Sequence, residues 1–189
     1  MRAHRISALL VFALFTTPSA VLGQNANEAS PAGIWWEISA GAGGMRLTCA
    51  ICDPTRELGP AVSGAVGAYG SPRIRVGIEG GGWANEDGDV RESVYRAGLV
   101  AQVHPRVESG LHLIAGLGWS GYRAELFTYD AVRLTLGAGW DLPLTGSWVV
   151  GNRLLLDAAS FASLKNDEGA VASPVGLSVM TFGLYIRRR

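Results

Sequence analysis

The sequence predicts an all-β chain folded as an eight-stranded antiparallel transmembrane β-barrel. Three observations carry this. Apolar residues recur at every second position over runs of about ten, the period of a strand rather than a helix. The intervening positions hold glycine, other small residues or isolated charges. No run after residue 23 reaches the roughly 18 apolar residues that a membrane helix needs. The clearest case is residues 110–141, where Leu111, Leu113, Ala115, Leu117 and Trp119 alternate with Gly110, His112, Ile114, Gly116 and Gly118. After a polar link the pattern returns as Val132, Leu134, Leu136, Ala138 and Trp140 against Arg133, Thr135, Gly137 and Gly139. A hairpin with one greasy, aromatic-ended face and one small or charged face fits lipid outside and a narrow lumen inside.

In chain order, residues 1–23 read as a secretory signal peptide. Arg2 and Arg5 precede an apolar run over 6–15, and Val21, Leu22 and Gly23 offer a cleavage site. Residues 24–33 are expected to be a flexible lead-in, and 34–189 the barrel. Strand one is expected over 34–45, with Trp36, Ile38, Ala40 and Ala42 outward and Glu37, Ser39, Gly41 and Gly43 inward. A link over 46–60 leads to strand two, 61–70, where Val62, Val66 and Ala68 oppose Ser63, Gly67 and Tyr69. A tight turn at 70–72 opens strand three, 73–83, with Ile74, Val76 and Ile78 set against Arg73, Arg75, Gly77 and Glu79. The run Gly80-Gly81-Gly82 suggests a bulge or bend that returns Trp83 to the lipid side.

Residues 84–91 read as a polar loop before strand four, 92–103, where Tyr95, Ala97, Leu99 and Ala101 oppose Arg96, Gly98, Val100 and Gln102. The hairpin of strands five and six follows a turn at 105–109 and contains a link at 120–128. A turn at 141–147 precedes strand seven, 148–161, which sets Leu154 and Leu156 against Arg153, Leu155 and Asp157. A polar loop over 162–174 leads to strand eight, 175–187, with Met180, Phe182, Leu184 and Ile186 outward. Short turns thus alternate with longer, more polar links, the asymmetry expected of periplasmic turns and outer loops. Trp36, Trp140 and Trp148 fall at the short-turn side, and Tyr95 and Trp119 at the loop side, as two interfacial girdles.

A soluble secreted ligand-binding barrel is the structural rival, with the apolar face turned inward. It would want Lys, Thr, Glu and Asn on its polar face. Here that face is mostly small, and the one lysine, Lys165, lies in an expected loop. Formal charge is +0, and removal of residues 1–23 takes two arginines and no acid. Nothing resembles the basic stripe that nucleic acid would need.

On these faces, and on Phe182, Leu184 and Ile186 of the last strand, the chain resembles the small outer-membrane β-barrel proteins of Gram-negative bacteria, the porin-family or OmpA-like transmembrane barrel group. The resemblance covers the mature chain through pattern rather than through a sharp motif. It implies residence in the cell outer membrane, contact with outer-membrane lipid and lipopolysaccharide, and recognition of the last strand by the barrel assembly machinery. Members of the group usually finish on an aromatic residue, whereas this chain finishes on Arg187-Arg188-Arg189.

Alternation assigns Glu37, Arg73, Arg75, Glu79, Arg96, His112, Arg133, Arg153 and Asp157 to a charge network in the lumen. Charges in a poorly hydrated interior must pair, so a structural or surface-exposed barrel with a filled axis is expected. A narrow ion or small-solute channel is the alternative. An outer-membrane lipid-modifying enzyme would need a nucleophile beside a base. His104 is followed by Pro105 and Arg106, and His112 by Leu113 and Ile114, so neither offers the His-x-Ser pair of lipid A deacylases. No catalytic residue, cofactor or metal is expected. Cys49 and Cys52 form a CxxC; zinc would need two more ligands and a redox role a different setting, so an exported pair most simply forms a disulfide in the first outer loop. The outer loops are the expected place for any surface ligand.

Overall fold

A computed structural model describes residues 33–53, 55–87 and 90–189. The expected signal peptide, and all of the lead-in except Gly33, lie outside the described residues. Eight strands follow one another as β1 (Ile34–Thr48), β2 (Glu57–Ser71), β3 (Ile74–Asp87), β4 (Val90–Val103), β5 (Leu111–Arg123), β6 (Thr128–Pro143), β7 (Trp148–Asn166) and β8 (Gly169–Arg188). Each pairs antiparallel with the next, and β1 closes on β8 from Trp36↔Arg188 to Thr48↔Gly176. Closure leaves no strand edge across the apolar belt, which matters in lipid because an unpaired peptide group has no water to turn to; edges appear where β3 and β8 run on past their neighbours.

The two faces follow the alternation of the sequence. Leu99, Leu117 and Leu184 on the outside are 65%, 58% and 66% exposed, and Ile38, Val62 and Ile78 continue the same belt around the barrel. A contiguous apolar belt of this kind is a liability in water and a requirement in a bilayer. The inner face carries charge, so the soluble-barrel alternative has its faces the wrong way round. All eight strands are antiparallel and closed in sequence order, as the alternation predicts.

Glycine sets how closely the inner face can fill. Gly98 and Gly118 are directly paired across β4 and β5; a Cβ on Gly98 would stand 2.5 Å from the Leu117 carbonyl oxygen and 2.7 Å from the Gly118 Cα. Gly77 lies under the buried Trp35 ring, where a Cβ would come within 2.9 Å of the ring. Trp35 in turn packs with Val100, Ile114 and Leu155 at the short-turn end.

Three expectations about chain path are corrected. The glycine run makes no bulge: Gly80, Gly81 and Gly82 keep register with both Gly64–Ser63–Val62 and Ala97–Arg96–Tyr95. Trp83 therefore keeps its inward parity and is 3% exposed, with its indole N–H donating to the Gly43 carbonyl at 3.0 Å. The polar segments 84–91 and 162–174 are mostly strand rather than loop, because β3, β4, β7 and β8 run on past the apolar belt. Polar residues alternate as readily as apolar ones once water is on both sides, and Glu86 stands opposite Arg91 in the continued ladder. The links at this end shorten to 49–56, 124–127 and 167–168, so the expected length asymmetry lies in the strands. At the other end, 104–110 is the longest connection and contains a single 3-10 turn, Val107–Ser109. Finally, Arg73 sits in the turn before β3 and is exposed, not in the lumen.

Refolded protein is expected to migrate faster on a gel unheated than after boiling, the behaviour of a closed barrel. Gly77→Val should lower folding stability by about 1–3 kcal/mol through overpacking against Trp35. Urea titration in micelles checks it, and an unchanged midpoint would contradict the close packing described.

Candidate functional site

The candidate site is the lumen. Inward parity delivers Glu37 from β1, Arg75 and Glu79 from β3, Arg96 from β4, His112 from β5, Arg133 and Asp141 from β6, Arg153 and Asp157 from β7, and Arg187 from β8. Five guanidinium groups and four carboxylates are thereby buried in one column. Such charges would each cost several kcal/mol if left alone, and each has an opposite partner.

At mid-height, fully buried Arg133 forks between two carboxylates, donating to Glu79 at 2.7 Å and to Asp157 at 2.9 Å. Asp157 also accepts from Arg96 and, at 2.6 Å, from the Thr135 hydroxyl. Towards the short turns, Arg153 donates to Glu37, to Ser39 Oγ at 2.7 Å and to Ser63 Oγ at 2.5 Å. Arg187 spans Glu37 at 3.2 Å and Asp141, and also donates to the Gln102 side-chain amide oxygen Oε1 at 3.3 Å. Asp141 additionally accepts from Arg75 at 3.2 Å and from the Tyr185 hydroxyl. A void of about 10 Å³ beside Arg96 and Arg153 has room for about one water at most.

His104, His112 and Asp141 bring ligand-type atoms within 4.8 Å of one another. The set suits a knot of ion pairs better than a metal. Asp141 already accepts from two guanidinium groups, and Arg75 Nη2 stands 2.5 Å from His104 Nε2. A cation placed there would face both arginines.

Of the residues assigned to the lumen, Glu37, Arg75, Glu79, Arg96, His112, Arg133, Arg153 and Asp157 lie in this column, and Arg73 does not. Gln102, Tyr185 and Arg187 fall on the inward faces by the sequence alternation without being assigned to the charge network, and Asp141 and His104, read as a turn residue and a strand end, also join it. Parity is the available signal: Asp141 continues Arg133, Thr135, Gly137 and Gly139, and β6 extends to Pro143 where a turn is expected.

On the outside, Trp36 packs edge-on against Trp148 at 5.4 Å between ring centroids, and Trp140 is exposed toward the same end. Tyr95 and Trp119 lie toward the loop end, where both donate to Asp130, at 2.5 and 3.4 Å, beside the Arg123–Asp130 pair at 3.0 Å. Cys49 and Cys52 are disulfide-bonded in the 49–56 link. Above the charges the interior turns apolar, with Met45, Trp83, Tyr129 and Leu177 among the buried side chains; it ends in a mouth cavity of about 360 Å³.

No protein family and no curated protein matches the chain in sequence. Among solved structures it is similar to neisserial surface protein A (NspA), with a TM-score of 0.57 at 12% identity over 81% of this chain and 96% of that one. It is also similar to Ail, the attachment invasion locus protein of Yersinia pestis, with a TM-score of 0.51 at 12% identity over 81% of this chain and 97% of that one. The shared property is the fold, that of the small eight-stranded outer-membrane barrels.

Arg133→Met strands Glu79, whose one cation partner among the described residues is Arg133, and should cost about 3–5 kcal/mol. Adding Glu79→Gln should restore part of that loss, since Asp157 keeps Arg96. Urea midpoints of the single and double variants read the difference; equal midpoints for the two would contradict a stranded charge.

Proposed function

We propose that this eight-stranded outer-membrane barrel is a structural or surface-exposed protein with a charge-filled lumen, neither a general porin nor an enzyme. The observation that carries this is the Arg133 fork across Glu79 and Asp157 at mid-height, with no exposed surface on Arg133. A barrel of eight strands is only wide enough for its own side chains, whereas general porins use sixteen or more strands to hold a water channel. Moving the plug would separate several desolvated ion pairs together, so a resting path for sugars is not part of this reading.

Contact with lipopolysaccharide is supported by cations at outward positions near the loop end. Arg46, Arg91, Arg123 and Lys165 alternate with inward Met45, Glu92, Tyr122 and Leu164, and Arg56 lies along the outside over Gly44, donating to its carbonyl at 2.6 Å. Guanidinium and ammonium groups at that height suit anionic headgroups. The outward Phe182, Leu184 and Ile186 of β8 are the surface offered to the assembly machinery.

Planar-bilayer recording on refolded protein tests the plug. Silence or rare small steps are expected, with Arg96→Ala or Arg133→Ala increasing them. Stable openings that pass sugars would replace this reading with a small-solute channel.

A further inference from the structure

The loop-end mouth differs from the plug in both shape and chemistry. Its cavity of about 360 Å³ falls in the about 300–1,000 Å³ range of small-molecule sites. Met45, Tyr122 and Leu164 line it from the strands, and Ile51, Leu126 and Phe127 from the two longer links at this end. The disulfide lies in the same wall: Cys52 lines the cavity beside Ile51.

Among the described residues, the charges that line this apolar space are all of one sign. Asp53, Glu57, Glu92 and Glu125 line it, and among the described residues none of the four is in an ion pair. Glu92 accepts from the Tyr122 hydroxyl at 2.5 Å, and Glu57 from the Thr55 hydroxyl at 3.3 Å; neither bond neutralises the carboxylate. The Thr55 backbone N–H, with its hydroxyl, holds the Asp53 carboxyl below the usual carboxylate range. The nearby cations take the outward positions described above, where Arg123 pairs with Asp130 and Arg91 stands opposite Glu86, so strand parity keeps every one of them off the acidic inner wall.

We propose that this mouth is a binding site for a small apolar molecule carrying an amine or another cationic group. The apolar body would take the place of water against Met45, Phe127 and Leu164, and the cation would sit among Glu57, Glu92 and the link carboxylates. Fatty acids and phosphorylated ligands carry the wrong charge for this ring. The site lies above the ion-pair column and does not depend on whether the column conducts.

Three probes with one apolar body test the class: 4-phenylbutylamine, 4-phenylbutan-1-ol and 4-phenylbutyrate. Each is titrated at neutral pH into the protein in uncharged phosphatidylcholine nanodiscs, reading the amide shifts of Tyr122, Phe127 and Leu164. The amine should saturate with a Kd about ten-fold below that of the alcohol, a modest preference for opposite charges near a protein surface, and the carboxylate should bind weakest. Glu57→Gln with Glu92→Gln should bring the amine to the level of the alcohol. Ala124→Trp should fill the cavity and abolish all three, with heat-modifiable migration as the folding control. In the wild-type protein, 4-amino-TEMPO should broaden Ala124 and Phe127 before Gln102 or Arg187, which keeps the test independent of any variant. Equal binding of the three probes, shifts that rise linearly with probe per lipid, or broadening without preference for the mouth would each overturn the proposal.

Discussion

The pairing of β1 with β8 is the contact on which the rest depends, because it turns eight strands into a belt without an edge. In lipid this is a condition for existence, since a free peptide N–H or C=O would have no partner. Closure at eight strands also fixes a bore just wide enough for side chains. Everything inside must then be small or interlocked. The Gly98–Gly118 pair and the Trp35 ring over Gly77 answer the first demand. The Arg133 fork and the Arg187 bridge between Glu37 and Asp141 answer the second.

The bore divides along its length into two kinds of interior. From the short turns to mid-height it is a column of alternating charges beside the Trp35, Val100, Ile114 and Leu155 cluster, with Ser39, Ser63, Thr135 and Tyr185 supplying further hydrogen bonds. Above that it is an apolar funnel around Trp83, Tyr129 and Leu177. Strands that continue beyond the belt raise the walls of the funnel, and the 49–56 and 124–127 links contribute to its mouth. The same two-residue period that separates lipid from lumen at mid-height keeps the rim cations outward of the carboxylates that line the mouth.

Legibility from sequence follows how local each decision is. The outward face is readable at Leu111–Trp119 because each residue's side follows from its neighbour's. The inward placement of Arg96, Arg133 and Asp157 is readable by the same count. Trp83 is misread because three glycines permit a bulge without requiring one; the register held by Ser63 and Arg96 on either side keeps the strand regular. Arg73 is misread because a turn interrupts the count just before β3, and Asp141 is passed over because a strand end and a turn residue look alike in one dimension.

The sequence by itself determined an all-β chain, the number of strands, their faces, and a lumen that must hold charge, because a period of two needs only neighbouring residues to be expressed. Tertiary structure alone decided which charges meet. Glu37 joins Arg153 and Arg187 from far along the chain, and Arg133 reaches back to Glu79. Those partners depend on strand stagger and on which strands face one another across the bore, quantities set by closure of the whole sheet. The cavity at the mouth is of the same kind: residues of β1, β2, β4, β5 and β7 and two links share it only once the ring is shut.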